Sequence, residues 1–254
     1  LVANGHDGLV VNGTTGESAT TTDEENIETV RAVADAVKGR TAITAGVGTN
    51  DTAHSVRAAK ALADAGADAV LVVTPYYNKP TQAGIVEHFK AVVGATDLPA
   101  MAYDIPGRSG TALASDTIRQ LATIDQVRAV KDAKGDFFEA TKLMDETDLL
   151  WYSGDDVVNL AWLALGAVGV VSVVGHVAGN EFRAMIDAVD AGDLATARAI
   201  HTKLIPAIDA LMNTSQGAIM VKAALKEQAS STPMPSACRC CPRTRRCTPS
   251  CVTA

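Results

Sequence analysis

The chain has 254 residues and a formal net charge of −7, with 47% hydrophobic but only 4% aromatic residues. That length suits one large or two small domains, built around small aliphatic side chains. The acidic balance argues against nucleic acid or an anionic membrane as main partner, no stretch suits a membrane span, and residues 1–7 carry neither the basic nor the apolar run of a secretory signal, so a cytoplasmic enzyme is expected.

In chain order, short apolar runs alternate with amphipathic stretches. Strands are predicted over residues 8–12, 41–46, 69–73, 100–104, 127–131, 149–153 and 169–173, and helices over 24–38, 51–65 and 81–94. Asp51 and Ser115 suit helix N-caps, and Gly39, Gly66 and Gly94 suit helix stops. Continuous apolar strands alternating with helices imply a parallel sheet covered on both faces. Seven such units are one short of a (β/α)8 barrel. Residues 1–5 read as the end of a helix, so the first strand and most of the first helix are expected to be absent.

Helices predicted over 180–191, 193–205 and 207–225 form a C-terminal appendage. The expected division is a barrel over 1–179, helices over 180–229 and a tail over 230–254. All five cysteines (Cys238, Cys240, Cys241, Cys247 and Cys251) fall in that tail. Their spacing matches neither the paired zinc pattern nor a disulfide framework. The tail reads as non-native or frameshifted, ahead of a disordered native tail or a metal site.

In a barrel of this kind the active site forms at the C-terminal strand ends. Lys131 ends an apolar run, where desolvation would lower its pKa and leave a free amine for Schiff-base chemistry; the alternative is a solvated strand end. Gly13-Thr14-Thr15-Gly16-Glu17-Ser18 offers flexible backbone and hydroxyls suited to a carboxylate, or else a capped glycine-rich turn. Tyr103, one strand before Lys131, could relay protons there or be a core aromatic. Arg108 presents a planar fork for a second carboxylate or a surface ion pair. Tyr76 and Tyr77, between Pro75 and Pro80, suit a subunit interface or a proton relay. The five histidines are scattered, and no metal set emerges.

Together, Gly13-Thr14-Thr15-Gly16-Glu17-Ser18, Pro75-Tyr76-Tyr77-Asn78-Lys79-Pro80, Tyr103-Asp104-Ile105-Pro106-Gly107-Arg108-Ser109-Gly110 and Val130-Lys131-Asp132-Ala133 resemble the dihydrodipicolinate synthase family. The resemblance runs from about Leu1 to Lys226. It implies that Lys131 forms a Schiff base with pyruvate, whose carboxylate sits on Thr14 and Thr15. The enamine then attacks L-aspartate 4-semialdehyde to give 4-hydroxy-tetrahydrodipicolinate, in lysine and diaminopimelate biosynthesis. Tyr103, Thr14 and Tyr77 resemble the family's proton relay, with Tyr77 supplied by a neighbouring subunit. Arg108 resembles the residue that receives the semialdehyde carboxylate, and Gly154 and Val171 would offer backbone contacts near pyruvate.

The same resemblance implies no metal or organic cofactor and a homotetramer built as a dimer of dimers. Three departures accompany it. An absent first unit would expose two strand edges, the Cys/Arg tail replaces the final helical segment, and the stretch 22–26 lacks histidines used in lysine feedback, so strong lysine inhibition is not expected. The alternatives are another pyruvate-dependent aldolase, acting on N-acetylneuraminate or a 2-keto-3-deoxy-sugar acid, and an inactive chain that keeps the site residues without closing its barrel.

Overall fold

The computed structural model describes residues 1–231. The five cysteines, and the expectation of a non-native tail beyond its first two residues, lie outside the described residues. Seven strands form one parallel sheet in chain order: β1 (Gly8–Val11), β2 (Ala42–Gly46), β3 (Ala69–Val73), β4 (Ala100–Asp104), β5 (Val127–Asp132), β6 (Leu150–Ser153) and β7 (Gly169–Val170). Each strand pairs with the next in sequence, so β1 and β7 are the two ends of the ladder. The strands read as unbroken apolar runs because helices cover one face while their own side chains fill the other.

The covering helices are α1 (Asp23–Val37), α2 (Thr52–Asp64), α3 (Gln82–Val93), α4 (Pro106–Ser109), α5 (Ser115–Ala122), α6 (Phe137–Glu146) and α7 (Asn159–Ala164). The starts of α1, α2, α3 and α6 are fixed by side chains that satisfy orphan backbone N–H groups. Thr22 and Glu25 form a reciprocal capping box on α1. Asp51 accepts the N–H groups of Ala53 and His54 on α2, Thr81 that of Gly84 on α3, and Asp136 that of Glu139 on α6. Ser115 does not cap α5. Ala114 holds that position, and the Ser115 hydroxyl instead donates to Glu139 at 3.0 Å, tying α5 to α6.

The main core lies between sheet and helices, with Ile43, Val70, Val72, Phe89, Leu113, Trp151 and Trp162 among its buried members. A second apolar cluster, including Leu163, Val174, Phe182, Met185, Leu204 and Val221, is built from α7, α8 (Gly175–Asp190), α9 (Leu194–Ile208) and α10 (Gly217–Ser231). The helix predicted from 180 begins at Gly175, with a break in helical geometry at Ala178. The helix predicted to end at 205 runs through Pro206 to Ile208, and a π-turn over Asp209–Asn213 follows. Thr214, Ser215 and Gln216 then separate it from α10, so the predicted stretch 207–225 spans the end of α9, the π-turn and most of α10. β7 stops at Val170 rather than 173. The Asp156 carboxylate takes the N–H groups of Val173 and Val174, at 2.7 and 2.8 Å, and bends the chain out of the ladder.

Candidate active site

Register brings the chemistry together. On β4 and β5, Tyr103 is the pairing partner of Lys131. Both side chains project to the same side of the sheet, and the Lys131 Nζ lies 4.0 Å from the centre of the Tyr103 ring. Tyr103 is buried, which pushes its phenol up to about 12; Arg108 opposes this and Asp155 adds to it. The group therefore stays protonated and able to donate. Burial brings the Lys131 amine down to about 8, with the Asp156 carboxylate opposing and the Arg108 guanidinium assisting. A fraction of the amine is then free at neutral pH, as nucleophilic attack on a carbonyl requires.

Gly154, after β6, leaves the space in which the Lys131 side chain runs. A Cβ there would stand 3.0 Å from Lys131 Cγ, 3.1 Å from its Cε and 3.1 Å from the Asp132 carbonyl oxygen. The Gly154 N–H donates to that same carbonyl at 2.7 Å, and the Val171 N–H donates to Ser153 at 2.8 Å. Neither N–H is therefore available to an anion. Any backbone contact that Gly154 or Val171 makes in the cavity comes through a carbonyl oxygen.

Thr14, Thr15, Tyr103, Lys131 and Val171 line one cavity of about 310 Å³, which Glu17, His176 and Lys222 also border. The Thr14 loop leaves β1 through Asn12, which adopts positive φ and whose amide donates to the Asn26 carbonyl on α1 at 2.9 Å. Gly46 lies beneath this turn. A Cβ there would meet the Asn12 carbonyl oxygen at 2.1 Å, so only glycine lets β2 approach so closely. The hydroxyls of Thr14 and Thr15 hydrogen-bond to no group among the described residues. Glu17, also at positive φ, forms an ion pair with Lys222 of α10, which joins that helix to the loop.

A second cavity of about 520 Å³ adjoins the first through Thr14 and Tyr103, and it takes in Arg108 and Tyr76. Arg108 is exposed, at its rim. Tyr77 does not reach either cavity. It is 87% exposed, at positive φ, with its N–H donating to Ser109. Two carboxylates missing from the sequence reading belong to the site. Asp156 is buried, accepts from Asn159, Val173 and Val174, and opposes the burial that lowers the Lys131 amine. Asp155 acts on Tyr103. Their signal was the Asp155-Asp156 pair directly after a strand-end glycine. No cluster of three metal-ligating side chains occurs among the described residues.

Residues 1–239 match the model of the dihydrodipicolinate synthetase family. The chain is 58% identical to the 4-hydroxy-tetrahydrodipicolinate synthase of Kineococcus radiotolerans over 226 residues, covering 89% of this chain and 73% of that protein. It is 52% identical over 228 residues to the enzyme of the same name from Corynebacterium aurimucosum, covering 90% and 76%. A dihydrodipicolinate synthase crystal structure from Bacillus anthracis superposes with a TM-score of 0.86 at 42% identity, covering 89% of this chain and 78% of that one.

Proposed function

The chain belongs to the dihydrodipicolinate synthetase family, and we propose that Lys131 serves its reaction as the Schiff-base nucleophile. The reaction is the condensation of pyruvate with L-aspartate 4-semialdehyde to 4-hydroxy-tetrahydrodipicolinate, a lyase activity of lysine and diaminopimelate biosynthesis. The observation that carries the role of Lys131 is its buried amine, brought down to about 8 and held over the Tyr103 ring.

The free amine adds to the pyruvate carbonyl, and the carbinolamine loses water to form the Schiff base. Thr14 and Thr15 receive the pyruvate carboxylate through their hydroxyls. Loss of a methyl proton gives the enamine, which attacks the aldehyde of the second substrate. Cyclisation displaces the lysine, which returns to its free state. Tyr103, protonated at neutral pH, passes protons to and from the carbinolamine with Thr14 and with Tyr77 of a neighbouring copy. Arg108, at the rim of the adjoining cavity, receives the semialdehyde carboxylate. Gly154 and Val171 border the pyruvate position.

We read the seven strands as strands of a (β/α)8 barrel, supported by their sequential parallel order. Residues 1–179 form that barrel portion and 180–229 a C-terminal helical segment, supported by its separate apolar cluster. The exposure of Tyr77 supports assembly as a homotetramer, a dimer of dimers in which Tyr77 enters a neighbour's site. No described helix is long and apolar enough to cross a membrane, and we place the enzyme in the cytoplasm. Turnover of pyruvate with aspartate semialdehyde, compared with N-acetylmannosamine and glyceraldehyde, tests the reaction. Activity with the semialdehyde alone is expected; preference for either sugar-type aldehyde would overturn it.

A further inference from the structure

One step beyond the Tyr103–Lys131 pair, the β4–β5 register sets Asp104 beside Asp132. Both carboxyls are buried, at 1% and 3% exposure. Two neighbouring carboxylates in so dry a place cannot both ionise cheaply. The protein divides its hydrogen-bond donors between them unequally. Asp132 receives three: the backbone N–H groups of Lys134 and Gly135 on Oδ1, at 2.8 and 3.0 Å, and the Trp151 indole on Oδ2 at 3.2 Å. Asp104 receives only the Leu113 N–H, on Oδ1 at 3.1 Å. Its Oδ2 is buried and has no partner among the described residues. The charged groups that bear on Asp104 are Asp132 and Lys134, whose ammonium donates to the Leu113 carbonyl at 3.4 Å.

We propose that Asp104 and Asp132 hold one proton between them, resident on Asp104, and that this pair positions the Tyr103–Lys131 couple and the Arg108 loop. Three N–H donors favour the anion on Asp132, whereas the lone oxygen of Asp104 is where a buried carboxyl carries its hydrogen. The pair joins separate parts of the site. Through Leu113, Asp104 closes the loop that bears Arg108. Asp132 fixes the turn after Lys131 and the indole on β6, while the Ala133 N–H donates to the Asp104 carbonyl across the two strands. Burial raises the Asp104 carboxyl to about 7, with the Asp132 charge adding to the rise and Lys134 opposing it. Its proton therefore leaves in the physiological range, and a second negative charge then appears beneath the site, offset in part by Lys134 and the Leu113 N–H.

The shared proton stands on the fold alone, whereas the pair's bearing on turnover rests on the Schiff-base reading above. Asp104→Asn supplies a permanent uncharged mimic of the protonated carboxyl that can still accept from the Leu113 N–H. A group whose pKa rises on folding binds its proton more tightly in the native state, so stability falls as pH climbs from the unfolded value toward the folded one. The Tm of the wild-type chain should therefore drop relative to Asp104→Asn by roughly 5–10 °C between pH 4 and pH 8. Parallel curves would overturn the shared proton.

Should Asp104→Asn fail to fold, 13C spectra of wild-type chain labelled at the aspartate carboxyls decide the same point. One resonance titrating near pH 7 is expected, and the absence of any above about pH 5.5 would overturn the proposal. For positioning, wild-type kcat should bend near pH 7, Asp104→Asn should lack that bend, and Asp104→Leu, which can neither accept nor donate, should lose more than about tenfold. A wild-type bend that survives in Asp104→Asn would remove the positioning role while leaving the shared proton intact.

Discussion

The two halves of the site are made in different ways. On the β4–β5 side, the buried Tyr103 and the half-buried Lys131 stand on adjacent hydrogen-bonded strands, in contact within one chain. On the opposite side, Thr14 and Thr15 sit on a loop entered and left at positive φ, steadied by the Asn12 amide and the Glu17–Lys222 ion pair. Tyr77 lies on another such loop and faces outward. The sheet fixes the nucleophile and its proton donor by register, where a displacement would cost several backbone hydrogen bonds. The loops hold the anion-binding groups by a few side-chain contacts, which suits groups that must admit and release substrate.

If this division holds, substitutions on the strand side should abolish chemistry and those on the loop side should mainly weaken binding. The largest effect belongs to Lys131→Ala, which should lower kcat by at least about 10³-fold. Tyr103→Phe removes the proton donor and keeps the ring beneath Lys131; it should cost about 10²–10³ in kcat with little change in the KM for pyruvate. Thr15→Val, by contrast, should raise the KM for pyruvate about tenfold and leave kcat closer to wild type. Gly154→Ala would press a methyl against Lys131 and should cost about tenfold in kcat by displacing the amine, without unfolding the chain. Smallest is Thr22→Ala, which removes the capping box of α1 and should cost about 1 kcal/mol of stability, read from a denaturant titration.

pH sharpens the same contrast. The Lys131 amine is held down at about 8, so Schiff-base formation should accelerate with pH up to that value and level off above it. Its stability effect has the opposite sign to that of Asp104. A lysine whose folded value lies below its unfolded one binds fewer protons when folded, so this group makes the chain more stable as pH rises from about 8 toward the ordinary lysine value. Melting curves over that range, for wild type against Lys131→Met, should diverge accordingly.

The strands were legible because strands covered on both faces carry unbroken apolar runs, and their ends fell within one or two residues of expectation except at β7. There, Val171, Ser172 and Val173 read as strand, but the Val173 N–H goes to Asp156, a partner 17 residues upstream. Lys131 was legible as a charge at the end of an apolar run, and Thr14, Tyr103 and Arg108 as polar groups at other strand ends. Asp156 was not, because its importance lies in who accepts which N–H across the β6–β7 crossover. The Asp104–Asp132 pairing required the register of β4 on β5, and Ser115 is a good cap by type whose hydroxyl found a better acceptor in Glu139. The commitment of the Gly154 and Val171 N–H groups to the sheet is likewise invisible without the ladder.

The most direct test of the central claim is reductive trapping. The chain is incubated with pyruvate, treated with borohydride and digested, and the modified peptide is identified by mass. A reduced pyruvyl adduct on Lys131, absent from Lys131→Ala, is the expected result. An adduct on another lysine, or a Lys131→Ala chain that still traps pyruvate, would contradict it.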